Sequence, residues 1–256
     1  MYIRSPPRLT LLLALACAAP AAAQDMMRHV DLTSPEMTSA EMTRAEVEAA
    51  IAAAAPARPA DFTGKKLSGL DLSGLDLSGV VLRAAKLNRT NLADAKLDRA
   101  ILDQAWLLEA DLRYASLQGA NIFAAQMQRA KLDGADLTGA SLVGASIAGA
   151  NLGADMRNQS MGLMRAVLKS ANLERLNARG ADLSRVDLEF ASLKGADLTG
   201  ANLKRAQLGG ADLTGVTVID TDFDGADLAS TKLIDPIGLG QAKNFDKARN
   251  SDRLIR

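Results

Sequence analysis

Three kinds of residue in this chain could do chemistry. The first is Asp220-Thr221-Asp222-Phe223-Asp224-Gly225, carboxylates at alternate positions ahead of a glycine, as at the start of a calcium-binding EF-hand loop. The twelfth position of such a loop is Thr231, where a bidentate Glu is required, so the ligand set is incomplete. The second is the Asp or Asn that stands before leucine again and again, inviting a carboxylate-pair reading. Short polar side chains on an outer face also bond to nearby backbone, and that explains their recurrence without catalysis. The third is the pair of scarce residues, His29 and Cys17, one of each in 256 residues. They leave no Ser–His or Cys–His arrangement, no disulfide framework and no cysteine zinc site. No catalytic residue, metal site or cofactor is expected, and the chain does not read as an enzyme.

The spacing of apolar residues says what must hold these groups. From Phe62 to Leu152, and again from Leu163 to Leu233, an apolar residue recurs every five positions. Only Ala178 among these sites is not large, and at Leu176-Asn177-Ala178 the large and small residues are exchanged. Alanine commonly stands two places earlier, as in Ala135-Asp136-Leu137-Thr138-Gly139 and Ala196-Asp197-Leu198-Thr199-Gly200. A helix of 3.6 residues per turn cannot keep a five-residue rhythm on one face. In extended chain, residues two apart point the same way, so Ala and Leu both face inward and the Asp or Asn between them faces out. The remaining two residues must turn a corner. Four such units close a square coil of about 20 residues, stacked at the sheet spacing of about 4.8 Å.

The A-(D/N)-L-x-x repeat resembles the pentapeptide repeat proteins. That resemblance covers residues 61–235 and implies an all-β, right-handed quadrilateral β-helix. It also implies that homodimers occur. It does not define a function, because one fold carries many.

Two departures matter. Leu152 and Leu163 are 11 residues apart, one more than two units. Asp155, Met156, Arg157 and Asn158 form a candidate loop there, because an unpaired Arg inside the tube would be expensive. The interruption spans 153–160, after which the coil is expected to resume in phase. At the start, 24–37 reads as a disordered linker and 38–60 as an N-terminal capping helix with its own linker. Thr38-Ser39-Ala40-Glu41 matches a capping box. Met42, Val47, Ala50, Ile51 and Ala54 would form the helix's apolar side. Residues 236–256 read as a C-terminal cap, with Phe245 as a plug, running into a polar, fraying tail.

Residues 1–23 have the three parts of a secretory signal peptide: Arg4 and Arg8, an apolar run from Leu9 to Ala19, and small residues up to Ala23. Export to the periplasm or outside the cell is expected. The alternative is lipidation at Cys17 within Ala14-Leu15-Ala16-Cys17, which would make an envelope lipoprotein. A membrane is expected as partner only on that reading.

Formal net charge is +0, and residues 61–235 hold 22 acidic and 20 basic residues. That balance argues against nucleic acid as a partner. It also argues against a DNA-mimicking, gyrase-binding role of the kind found in the family. The favoured reading is a noncatalytic exported scaffold with a protein partner. In the square coil, Val81 lies beside Ile101 and Phe123 beside Val143, with Trp106, Leu108 and Tyr114 nearby. These seven residues form the candidate partner patch, since exposed aromatics mark interfaces. Arg165, Arg185 and Arg205 would line a corner as ordinary solvated surface.

Overall fold

A computed structural model of the chain describes residues 31–55, 58–154 and 164–256, and all that follows concerns the unit Asp31–Arg256. Cys17 and the signal segment lie outside the described residues, as do Asp155, Met156, Arg157 and Asn158.

The five-residue unit becomes one side and one corner. Each side holds a single parallel bridge to the residue twenty positions on, beginning Asp61↔Val81, Lys66↔Lys86, Asp71↔Asn91 and Asp76↔Lys96. These define four faces. Leu67 N–H donates to Lys86 C=O at 2.8 Å, and Lys86 N–H donates to Lys65 C=O at 2.9 Å. At the corner Lys65 N–H closes a turn on Phe62 C=O at 3.0 Å, with Gly64 at φ 68°. A positive φ at the third turn residue normally calls for glycine. Yet Arg, Tyr, Phe, Gln and Ala also take this place, among them Ala84 (φ 51°), Tyr114 (60°) and Phe190 (58°). Stacked ladders above and below hold these corners against a cost of about 1–2 kcal/mol each.

The bore is lined by the expected residues. Leu112 and Leu132, with Ala110 and Ala130 before them, are fully buried, as are Leu92, Leu176 and Ala178. Three threonines stand where alanine is usual. Each buried hydroxyl donates to a carbonyl of the coil below: Thr90 to Leu67 (2.8 Å), Thr221 to Leu198 (2.6 Å) and Thr231 to Leu208 (2.8 Å).

The interruption is larger than the sequence suggests. Asp136 bridges Val167, Ser141 bridges Asn172, Ser146 bridges Asn177 and Asn151 bridges Asp182. That step is thirty-one positions on all four faces, against twenty between the regular coils. The regular bore resumes at Ala166 and Leu168, above Leu137, so the expected return at Leu163 is superseded; Leu163 lies outside the described residues. Any leucine in phase satisfies a five-residue rhythm, so the rhythm alone cannot tell which one re-enters.

Before the first coil come helices α1 (Pro35–Thr38) and α2 (Arg44–Ala52). The reciprocal capping box is Thr43 with Glu46, not Thr38 with Glu41. Ala40 is instead drawn into an antiparallel bridge with Leu67. Val47 is fully buried in the core, and Met42, Ala50, Ile51 and Ala54 pack against it. Arg44 donates to the open-edge carbonyls of Asp71 and Ser73, both at 3.0 Å. Residues 31–39 are tied down rather than free: Glu36 pairs with Lys66 and with Lys86 (3.2 Å). Asn88 Nδ2 donates to Met37 C=O at 3.0 Å.

The C-terminal residues stay in register to Ile255 instead of fraying. Ile237, Lys243, Arg249 and Ile255 bridge the coil below, so this last coil has six residues per side. Three short 3-10 helices, Leu239–Gln241, Phe245–Lys247 and Ser251–Arg253, make its corners. Phe245 packs edge-on against the buried Phe223, ring centroids 5.4 Å apart. Asn244 and Asn250 donate to Asp222 (2.9 Å) and Asp227 (2.8 Å), latching this coil down.

Candidate functional site

The carboxylates before leucine have a structural task. Asp61, Asp71, Asp76, Asp136, Asp197 and Asp212 each accept the backbone N–H two residues on, at 2.9–3.1 Å. At these positions the side chain thereby pins the first residue of the corner. Bonds from the Thr63 and Ser73 side chains, then from their N–H groups, hold Asp61 and Asp71 below the usual carboxylate range. At Asp197 and Asp212 burial pushes the other way, and is outweighed by Thr199 and Thr214 with their basic neighbours. In the Asp220–Gly225 segment Phe223 is fully buried in the bore, while Asp222 is engaged by Asn244 and Lys204. Among the described residues no three His, Cys, Asp or Glu side chains gather where they could hold a metal ion.

Most of the outer surface is laced with ion pairs up the columns. Arg89 and Arg129 flank Glu109 at 3.0 and 3.2 Å, Lys169 meets Glu189 at 2.9 Å, and Lys204 meets Asp222 at 3.1 Å. Arg165 turns to Asp187 at 3.4 Å, and Arg185 and Arg205 stand on left-handed corners above it. Such exposed pairs contribute little each and keep the surface soluble.

One sector differs. Tyr114–Gln128 and Gly139–Ala154 contain no charged residue, and they occupy consecutive coils. Here Phe123 stands out at 43% exposure, in the corner column that Val143 continues on the next coil. Val81 and Ile101 are bridged on the adjoining face and half-buried. Trp106, also half-buried, lies on the next face, between Lys86 and Gln126 in the ladder. These five residues make an apolar stripe across four coils, crossed by the Arg83–Asp103 ion pair (3.3 Å) in the corner column that leads to Phe123. The three buried side-chain atoms without a partner among the described residues all lie beside it: Asp103 Oδ1, Gln128 Oε1 and Ser146 Oγ. Buried polar atoms are rarely left unpaired, and their gathering in one sector singles it out.

Two residues of the sequence-based patch stand apart. Leu108 lines a cleft of about 120 Å³ with Leu32, Met37 and Asn88, and belongs to the seat of the N-terminal segment. Tyr114 sits on the corner diagonal to that of Phe123, its ring over Gly134. Sequence reasoning missed Phe190, 61% exposed, which lies over Gly210 with Lys169 Nζ 5.5 Å from its ring centroid. Its signal was an aromatic at a corner position normally held by Gly or Arg.

A four-sided, twenty-residue coil with an Ala/Leu bore defines a β-solenoid. Family comparison says which one: the profile "Pentapeptide repeats (8 copies)" matches residues 60–92, 90–125, 120–158, 163–200 and 201–235, and the chain belongs to the pentapeptide repeat family. Among solved structures it is similar to HetL of the cyanobacterium Nostoc sp. strain PCC 7120, described as involved in heterocyst differentiation regulation. Identity is 29% over 79% of this chain and 95% of that one, with a TM-score of 0.27. Rfr23 of the cyanobacterium Cyanothece 51142 is 26% identical over 42% of this chain and 58% of that one, TM-score 0.30. QnrB1, a plasmid-mediated fluoroquinolone resistance protein, is 21% identical over 75% of this chain and 91% of that one, TM-score 0.30. No curated protein matches the sequence.

Proposed function

We propose that this protein is a noncatalytic, exported scaffold that holds a protein partner along the stripe of Val81, Ile101, Phe123, Val143 and Trp106. The observation that carries this reading is the exposed Phe123, 43% accessible, in a corner column that Val143 continues through two charge-free segments, with three unpaired buried side-chain atoms close by. Interface cores are depleted of charge and enriched in aromatics, which fits that sector. Export rests on the basic, apolar and small-residue pattern of residues 1–23. Helix α2 acts as the cap of the first coil, and the coil winds in the right-handed sense of parallel crossovers.

The test is capture from the cell envelope with the mature protein as bait. Replacing Phe123→Ala and Trp106→Ala together is expected to weaken the captured partner by about tenfold or more, the effect of losing central aromatic anchors. Phe190→Ala, on another corner, should leave capture intact. Full retention by the double variant overturns the placement. The gyrase-binding alternative is disfavoured by the near-balanced charge of residues 61–235. Stoichiometric inhibition of supercoiling by mature protein would restore it.

A further inference from the structure

The last coil is built differently from those below it, and the difference lies in its upper edge. In a regular coil the residue before each bridge offers its C=O upward and the residue after it offers its N–H. Ala196 C=O and Leu198 N–H, for example, both bond to Thr217 at 2.9 Å. The corresponding groups of the last coil are the C=O of Pro236, Ala242, Ala248 and Leu254 and the N–H of Gly238, Asn244 and Asn250. None has a backbone partner among the described residues.

An end of this kind is a template for another coil, and a second copy of the chain carries coils of matching dimensions. Here, however, the residue after three of the four bridges has left the extended conformation. Gly238, Asn244 and Asn250 have φ 77°, 53° and 56°, whereas in regular coils the positive φ comes three residues after the bridge. The extra residue on each side is this left-handed one. It takes the place of the inward leucine; a large residue follows it on two sides, Leu239 and Phe245, and Ser251 on the third. The downward bridges survive, from Ile237↔Thr217 to Ile255↔Lys232. We infer that the six-residue coil is a one-sided terminator: it pairs with the coil below and denies extended-strand geometry to any coil above, so that copies of this chain do not stack through this end. Exposed Lys243, Lys247, Arg249, Arg253 and Arg256, against Asp246 and Asp252, add like-charge repulsion between two such ends.

The inference is independent of the lateral stripe, and its test reads the C-terminal end alone. A spin label is placed at Asp252→Cys on the exposed last corner, in a Cys17→Ser background. The intact chain is expected to show no intermolecular label contact at any concentration reached. Deleting Gly238, Asn244 and Asn250 returns the coil to five residues per side, and contact should then appear in most molecules. Should that deletion fail to fold, a second variant replaces 237–256 by a copy of the internal coil 197–216, labelled at its last corner. That coil pairs on both sides in the native chain, and the variant should associate end to end. Label contact in the intact chain, or its absence in a folded variant, overturns the inference.

Discussion

Gly210→Ala and Gly139→Ala look alike in sequence and should differ in cost. Both glycines hold left-handed corners, at φ 69° and 67°. An alanine there is strained by about 1–2 kcal/mol. The lower entropy of the unfolded chain offsets about 0.4–1 kcal/mol of this. At Gly139 nothing lies within 4 Å of the added Cβ, so the net loss should be at most about 1.6 kcal/mol. At Gly210 the new Cβ would lie 2.7 Å from Phe190 Cδ1 and Cε1, so the ring must leave its seat. Lys169 then loses its cation–π contact, worth about 0.5–1 kcal/mol at an exposed site. Urea denaturation at pH 7 should place Gly210→Ala below Gly139→Ala by that difference. In a Phe190→Ala background the two should become equal, a coupling read directly from the double-mutant cycle. Equal costs in the native background, or no coupling to Phe190, would refute the claim that bulky corner side chains lie over the glycine twenty residues on.

Two further outcomes follow from specific contacts. Asn88 is buried, with its Nδ2 on Met37 C=O and its Oδ1 accepting from Leu108 N–H, both at 3.0 Å. Asn88→Ala should cost about 1–3 kcal/mol and speed limited proteolysis between residues 38 and 43; an unchanged cleavage rate would contradict the clamp. Asp61, Asp71, Asp76, Asp111, Asp197, Asp212, Asp222 and Asp227 all titrate below the ordinary range when folded. Their stabilisation is therefore complete above the unfolded aspartate value of about 3.9 and is lost as pH falls through it toward the folded values. The urea midpoint should be level from pH 7 to pH 5 and drop below about pH 4; a midpoint that rises on acidification would contradict the corner-pinning role.

The solenoid was legible because its signal is redundant: each bore position repeats the same steric demand, and Asp or Asn at the next position reports the corner bond. What was not legible involved choices between equivalent local patterns. Thr38–Glu41 and Thr43–Glu46 both match the capping-box sequence pattern, and only the second forms one, Ala40 being drawn into its bridge with Leu67. Leu163 and Leu168 are equally in phase, and the register after the interruption is decided by cross-coil pairing. The last coil hides because its period is six and its sides carry Lys243 and Arg249. The spacing of Gly238, Asn244 and Asn250 was its one local sign. On the surface, Phe123 was correctly read as exposed, but Leu108 lies under a segment whose path the repeat does not encode.

The central claim is that side chains twenty positions apart are stacked neighbours, and thirty-one apart across the interruption. Paired cysteines in a Cys17→Ser background test it. Adjacent strands lie about 4.8 Å apart, within the roughly 4.4–6.8 Å that a disulfide spans between Cα atoms. Asn121→Cys with Ser141→Cys, and Ser141→Cys with Asn172→Cys, should each oxidise readily within the folded chain, while Asn121→Cys with Asp136→Cys, on a neighbouring face, should not. Failure of the first two pairs, or equal oxidation of the third, would contradict the stack.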